Sequence, residues 1–325
     1  MDQKWFECFA DRKYWDELVE TYIKTGTAPG KLPYSHVETL WQYFKFCILT
    51  DNRYFFEHPL LPLIKDKIQQ HEKILPANTT LFRARIDSGD RLLDQVHNLM
   101  HVKSLTKLKE EGRIFEDQEF EEMLSRYTSF EGYDAYREQH EHGFEGFPPL
   151  ECLAPPAHKV PQGRCNLQNS PHLYASGDIH TAIAEIRPFI HDSISVASLS
   201  CEKDLRLIDF CFNFEDESAY VDRFYTAMSF DFSSVSKERE NDYFATQYLT
   251  MLVKSLKYDG VVFRSSLVMD GINYVIFDGS ACKPISSKLY RVLQTRYDVL
   301  SAYIESHLKD SHGVDLPDPL FPRDE

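Results

Sequence analysis

The sequence predicts an α+β fold in which a twisted mixed β-sheet core is preceded by a small all-helical region. Apolar residues recur at helical spacing over residues 1 to about 76, and short runs typical of strands begin at residue 81. Strands and helices then mix without the strict alternation of a parallel α/β sheet. At 325 residues, the chain is long enough for about two domains.

Three helical patterns make up the N-terminal region, which we assign to residues 1–78. A stretch containing two glycines and two prolines, residues 25–33, separates the first pattern from the second, and residues 76–78 end the third. We expect these helices to form a separate small layer. The apolar positions that define them are Trp5, Phe6, Phe9, Leu18, Val19, Tyr22 and Ile23; then Val37, Leu40, Trp41, Phe44 and Ile48; then Leu63, Ile64, Ile68 and Ile74.

The central region, residues 79–285, contains the predicted sheet. In its first strand, residues 81–86, alternation places Arg83 and Arg85 on one face. A charged, mostly helical insert covers about 91–143, and an irregular segment rich in glycine and proline follows it. Further strands are predicted at 172–175, 193–199, 205–210, 260–263 and 274–277, and a helix at 242–257. Residues 286–325 are assigned to a C-terminal helix, up to residue 308, and a frayed acidic tail.

Composition argues against several classes of protein. The net charge of −15 argues against nucleic-acid binding by phosphate neutralisation. No apolar run approaches the roughly 20 residues of a membrane span, and the first residues do not resemble a signal peptide. The seven cysteines are scattered without a CxxC pair, which indicates reduced thiols in a cytoplasmic protein. Cys165 adjoins Arg164 but has no separate base nearby, so we expect it to be a packing residue.

The residues best suited to catalysis lie between positions 163 and 200. Arg164, Tyr174 and Glu185 follow one another at intervals of 10 and 11 residues, each on a different kind of backbone. Asp178 is placed to cap the helix that carries Glu185, and Pro188 to end it. The small residues one turn before Glu185 leave room in front of its carboxylate.

Five motifs, in order, resemble the RES domain family, which is named for its arginine, glutamate and serine. The resemblance covers about residues 79–282, and the sequence departs from it where Leu167-Gln168-Asn169 replaces the usual Pro-x-Gly turn. The motifs are Leu81-Phe82-Arg83; Gly163-Arg164-Cys165-Asn166; Leu173-Tyr174-Ala175-Ser176 with Thr181-Ala182-Ile183-Ala184-Glu185-Ile186-Arg187-Pro188; Ser193-Ile194-Ser195-Val196-Ala197; and Tyr258-Asp259-Gly260-Val261-Val262-Phe263-Arg264-Ser265-Ser266 with Asn273-Tyr274-Val275-Ile276-Phe277.

This resemblance implies a fold similar to ADP-ribosyltransferases and a specific activity. Known RES proteins are bacterial toxins that destroy NAD⁺ by hydrolysis or phosphorolysis of the nicotinamide–ribose bond, and many are neutralised by a helix-turn-helix antitoxin. We therefore expect an NAD⁺ glycohydrolase or phosphorylase with NAD⁺ as substrate, inorganic phosphate as a candidate co-substrate, and no cofactor. An ADP-ribosyltransferase that modifies a macromolecule and a non-enzymatic interaction module are the alternatives. The expected partners are an antitoxin or inhibitor protein and a second copy of the chain, and toxin–antitoxin control and phage defence are analogies with the family.

Cleavage of NAD⁺ leaves an oxocarbenium-like ribose, so a fixed carboxylate beside the sugar is the expected catalytic device. Arginines bind diphosphate through charge-assisted hydrogen bonds, and a tyrosine can stack on nicotinamide or orient the ribose. The ordinary alternatives are a solvated glutamate, surface ion pairs, a core tyrosine and a turn serine. The predicted catalytic residues are Glu185, Arg164, Tyr174 and Ser265, and the predicted substrate-binding residues are Arg83, Arg85, Asn166 and Ser266, with Ser265 favoured over Ser266 by its distance from Phe263.

Two further motifs carry less weight. His140-Glu141-His142 lacks the i,i+4 histidine spacing of a zinc helix, so we predict no metal. Arg53 and His58 have the R-x4-H spacing of HEPN-type ribonucleases, but Pro59 follows at once, and we favour a structural helix end over an active RNase. No Rossmann or Walker motif is present in the sequence.

Overall fold

The structure is a computed structural model that describes residues 9–25, 36–51, 57–113, 116–129, 133–211, 223–234 and 243–295. At its centre lies an eight-stranded mixed sheet. The strands are β1 (Glu72–Leu75), β2 (Thr80–Ile86), β3 (Leu173–Ser176), β4 (Ser193–Cys201), β5 (Leu205–Asp209), β6 (Gly260–Arg264), β7 (Ile272–Ile276) and β8 (Cys282–Arg291). Their spatial order is β1-β5-β6-β7-β3-β2-β4-β8, which confirms the predicted α+β class.

Helices lie before the sheet and between its strands. The predicted helical nature of the insert at 91–143 is confirmed, because three helices follow one another there. The helices are α1 (Arg12–Thr25), α2 (His36–Thr50), α3 (Leu61–Gln70), α4 (Arg91–Glu110), α5 (Asp117–Thr128), α6 (Tyr133–Glu141), α7 (Pro149–Cys152), α8 (Ile179–Glu185), α9 (Arg223–Ser233) and α10 (Phe244–Ser255).

The sheet is split between β2 and β3. These two strands share a single register pair, Phe82 with Ser176, whereas β2 pairs with β4 along its whole length from Thr80 to Ile86. On its other side β3 pairs with β7 through all four of its residues. Adjacent strands that lose their ladder must diverge, and the gap leaves space for a cavity that both strands line.

The N-terminal helices share one apolar core with the sheet and with α9 and α10. Trp41 of α2 stacks on Phe44 at 5.4 Å between ring centroids and meets Phe224 of α9 edge-on at 6.1 Å. Phe44 in turn lies 6.0 Å from the ring of Tyr248 on α10. Because these rings are buried against one another, the helices pack as part of the main body of the protein.

Two predicted helical stretches are strands. The third predicted helix ends at Gln70, and Ile74 lies in β1, which pairs antiparallel with β5, so the boundary set at residue 78 falls inside the sheet. The predicted C-terminal helix is wrong over residues 286–291, which belong to β8 and pair with β4. Ser287 is fully buried in β8. Its hydroxyl is nevertheless satisfied, because it donates to the carbonyl of Phe147 and accepts from the amide of Gly146. The rest of that predicted helix, beyond residue 295, lies outside the described residues.

We expect Phe44→Ala to destabilise the whole described body, because the ring is fully buried between α2 and α10. The loss should be about 3–5 kcal/mol of the free energy of unfolding, measured by urea titration. The three tryptophans occupy positions 5, 15 and 41, of which 15 and 41 lie in α1 and α2, so tryptophan fluorescence reports on the N-terminal part of the chain, while circular dichroism reports on the whole chain. Both signals should change together.

Ile23→Ala is the matched control, because that side chain is 45% exposed, and it should change stability little. A fluorescence transition at clearly lower urea than the dichroism transition would contradict the shared core.

Candidate active site

A cavity of about 550 Å³ occupies the split in the sheet. Strand β2 contributes residues 82–84 to its wall, and β3 contributes residues 174–176. Helix α8 supplies Ala182 and Glu185. The other lining residues come from β6, β7 and three connections, and they are Arg164, Ile186, Arg187, Tyr243, Phe263 and Asn273.

Helix α8 delivers Glu185 to the cavity because both of its ends are specified locally. The side chain of Asp178 accepts hydrogen bonds from the Thr181 amide at 2.8 Å and the Thr181 hydroxyl at 2.6 Å, which confirms the predicted N-cap. The helix ends at Glu185 itself, and Ile183 and Ile186 pack on the apolar cluster around Ala84. The carboxylate therefore stands at the end of a short, anchored helix.

One oxygen of Glu185 is held by two neutral donors. Its Oε1 accepts from the Ser265 hydroxyl at 2.7 Å and from Nδ2 of Asn273 at 2.6 Å. The Ser265 oxygen also accepts from the amides of Leu267 and Val268, so its single proton is directed at the carboxylate. Within the described ranges no hydrogen bond reaches Oε2, so that oxygen is available to a ligand.

Asn273 is a residue that sequence reasoning missed. Its Oδ1 accepts from the Ser176 hydroxyl at 2.8 Å, which leaves Nδ2 to donate to Glu185. Ser176 and Asn273 are register partners on β3 and β7, and both are buried. The available signal was the presence of two polar residues at inward positions of otherwise apolar strands, where a buried polar group needs a partner.

The two serines after β6 differ in position. Ser265 is 8% exposed and contacts Glu185, whereas Ser266 is exposed. The structure thus brings Ser265, and not Ser266, to the carboxylate.

The loop that carries Arg164 is fastened to α10 and to β3. Thr246 Oγ1 donates to the Arg164 carbonyl and Gln247 Nε2 to the Gly163 carbonyl, both at 2.8 Å. A Cβ on Gly163 would lie 2.5 Å from Oδ1 of Asn166, so only glycine permits this tight turn. The loop backbone is therefore rigidly placed beside the cavity.

The Arg164 guanidinium caps α9. Its Nη1 donates to the Phe232 carbonyl and its Nη2 to the Ser234 carbonyl at 2.8 Å, while the group lies 5.4 Å from the centroid of the Phe263 ring. The last carbonyls of a helix have no partner within the helix and attract cations. Arg164 thus lines the cavity and also fixes the end of α9.

Tyr174 and Asn166 bond to each other. The Tyr174 hydroxyl donates to Asn166 Oδ1 at 2.7 Å and accepts from the Cys165 amide at 3.0 Å, and burial raises the Tyr174 pKa well above its ordinary value. Nδ2 of Asn166 donates to the carbonyls of Pro161 and Leu167. Tyr174 lines the cavity, whereas the buried Asn166, predicted to bind substrate, does not and instead closes the loop. Burial also raises the Cys165 pKa to about 12, in keeping with a packing thiol.

Arg83 and Arg85 differ in their access to the cavity. Arg83 lines it and donates through Nη1 to the Cys152 carbonyl at 3.2 Å; Arg85 does not line it, and its Nη1 donates to the Glu151 carbonyl at 2.7 Å. Desolvation by burial and the neighbouring Arg85 lower the Arg83 pKa to about 10. Among the described residues, neither guanidinium forms an ion pair with a carboxylate. The alternative of an ordinary surface ion pair is therefore not seen at Arg83 or at Arg85 within those residues.

The secondary motifs stand apart from the cavity. Arg53 lies outside the described residues, and His58 packs edge-on against Phe44 at 5.2 Å, where desolvation by burial lowers its pKa to about 4.

In the part of the chain that the structure describes, no group of three His, Cys, Asp or Glu side chains could hold a metal ion. Nor is any described helix long and apolar enough to cross a membrane.

Comparison with known proteins identifies the family. A family model of the RES domain matches residues 135–298, and the chain belongs to the RES domain family, which confirms the resemblance seen in the sequence. Among solved structures, the crystal structure of the M. tuberculosis MbcT–MbcA toxin–antitoxin complex is similar, with 9% identity, a TM-score of 0.34, and coverage of 70% of this chain and 92% of that one. No curated protein matches the chain.

We expect the protein to lose stability between pH 7.5 and pH 5. His172 supports the Arg164 loop by donating through Nδ1 to the Cys165 carbonyl at 2.9 Å, and desolvation by burial lowers its pKa from 6.5 to about 4. A base whose folded pKa is lowered stabilises the fold above its unfolded pKa, and this contribution is lost as pH falls towards the folded value. From this residue the free energy of unfolding should fall by about 2 kcal/mol, measured in urea.

His172→Asn keeps an N–H donor near the Cys165 carbonyl but cannot titrate. Its stability should depend less on pH than that of the wild type. An equal pH dependence in both proteins would contradict the assignment to His172.

Proposed function

We propose that the protein is a cytoplasmic toxin that cleaves the nicotinamide–ribose bond of NAD⁺, by hydrolysis or phosphorolysis, and that an antitoxin or inhibitor protein controls it. The observation that carries this proposal is the Glu185 carboxylate, held through Oε1 by Ser265 and Asn273 with Oε2 left for a ligand. Membership of the RES domain family supports it, because known members destroy NAD⁺.

The size and charge of the cavity suit a dinucleotide. Its volume of about 550 Å³ lies within the range of roughly 300–1,000 Å³ that is usual for small-molecule sites. Among the described residues, its lining includes one acidic residue, Glu185, and three arginines, Arg83, Arg164 and Arg187. This local excess of positive charge in a chain of net charge −15 favours a diphosphate.

The reaction requires little proton transfer at the leaving group. The C1′–N bond breaks and its electron pair moves to the pyridine nitrogen, so nicotinamide leaves as a neutral molecule and the ribose becomes cationic. Oε2 of Glu185 stabilises this cation and accepts hydrogen bonds from ribose hydroxyls. Water, or inorganic phosphate, then attacks C1′, and the proton released from water passes to solvent or to the carboxylate.

Aromatic side chains in the wall offer faces for the two rings of the substrate. Phe82 and Tyr243 line the cavity from β2 and from the start of α10, and Phe263 of β6 also lines it with its ring against the Arg164 guanidinium. Flat aromatic surfaces gain favourable stacking with heteroaromatic rings. Tyr243 is another cavity residue that the sequence analysis did not select.

Purified wild-type protein should release nicotinamide from NAD⁺, and Glu185→Gln should reduce the rate at least about 100-fold, because the variant keeps the shape of the side chain but loses its charge. The measurement is nicotinamide release with and without inorganic phosphate. ADP-ribose as product identifies a hydrolase, and ADP-ribose 1″-phosphate identifies a phosphorylase.

Glu121→Gln is the matched control, because Glu121 is an exposed residue of α5, and its rate should equal that of the wild type. No release by the wild type in either buffer, or an undiminished rate in Glu185→Gln, would sink the proposal. Transfer of label from NAD⁺ to a macromolecule would instead assign the protein to the ADP-ribosyltransferases.

Ser265→Ala should lower kcat about 10- to 100-fold, because it removes one of the two donors to Glu185. Ser266→Ala is the matched neighbour and should leave kcat unchanged, since Ser266 is exposed. Steady-state kinetics on both variants provide the check. Equal effects at the two positions would argue against the assignment of Ser265.

A further inference from the structure

Arg187 differs from the other arginines in the cavity wall. Arg83 and Arg164 both donate to main-chain carbonyls, at Cys152 and at Ser234 among others. Arg187 also lines the cavity, yet it is exposed, and its side chain makes no hydrogen bond or ion pair with any residue in the described ranges. Its donors are therefore available to a ligand.

The backbone of Arg187 is in a conformation that a residue with a Cβ seldom adopts. Its φ is +47°, in the left-handed region that favours glycine, and Pro188 restricts it further. Its amide donates to the Ala184 carbonyl at 3.0 Å, in the turn that ends α8 just after Glu185. A positive φ is common at the residue that ends a helix, and Lys257 adopts one after α10.

We propose that Arg187 binds phosphoryl oxygens of the substrate at the mouth of the cavity, two residues along the chain from Glu185. This inference rests on the proposed function and adds a substrate-binding residue to it. A guanidinium group presents paired N–H donors that match two phosphoryl oxygens. The phosphoryl group belongs either to the diphosphate of NAD⁺ or to inorganic phosphate acting as the nucleophile.

Calorimetric titration in a Glu185→Gln background tests the proposal, because the substrate is then consumed at least about 100-fold more slowly. Adding Arg187→Ala should weaken NAD⁺ binding at least about tenfold, and Arg187→Lys should weaken it less. Nicotinamide riboside, which lacks phosphate, should bind equally to all of them. Arg126→Ala is the matched control for charge, because Arg126 is exposed on α5 and does not line the cavity.

Titration with orthophosphate distinguishes the two sources. Loss of orthophosphate binding in Arg187→Ala with NAD⁺ affinity unchanged would assign Arg187 to the nucleophile. Unchanged affinity for both NAD⁺ and orthophosphate would overturn the proposal.

If the Glu185→Gln protein does not bind NAD⁺, the proposed function fails. Calorimetric titration with inorganic diphosphate then decides the role of Arg187. Diphosphate binding that depends on Arg187 supports the anion site, and its absence overturns it. Arg187→Gly separates binding from folding: it should unfold at the same or a higher temperature than the wild type and lose phosphate-dependent binding. A lower unfolding temperature with binding retained would overturn the proposal.

Discussion

The pair of hydrogen bonds that Glu185 accepts from Ser265 and Asn273 is the interaction on which the site depends. It joins three parts of the chain: a short helix, the turn after β6, and β7. A carboxylate on an exposed helix end would otherwise sample many rotamers, and ordering it costs conformational entropy. Two donors on the same oxygen hold one rotamer and leave the second oxygen open.

The surrounding structure supports these donors in turn. Asn273 is oriented by Ser176, and the Ser265 hydroxyl by the two amides of its own turn. On the other side of the cavity, Arg164 fixes the end of α9, and α9 packs on the N-terminal helices through Phe224. Arg164 of the cavity wall is thereby connected, through α9, to the apolar core that the N-terminal helices share.

Local signals in the sequence were sufficient for most elements and for part of the site. The Asp178 cap and the helix that ends at Glu185 depend on neighbouring residues, so they could be predicted. That β1 and β8 are strands could not be predicted, because their pairing with β5 and β4 determines it. The serines of β8 moreover resemble the pattern of an exposed surface. Asn273 was missed for the same reason, since its importance comes from a partner 88 residues away in the sequence.

The long sequence separation of the Glu185 contacts also affects the newly made chain. Ser265 and Asn273 lie 80 and 88 residues after Glu185, and synthesis runs from the N-terminus. A ribosome that has completed α8 has made the carboxylate but neither side chain that holds it. The unfinished polypeptide therefore lacks an assembled site, and both side chains that hold the carboxylate are present only once synthesis has reached β7, the seventh of the eight strands of the described sheet.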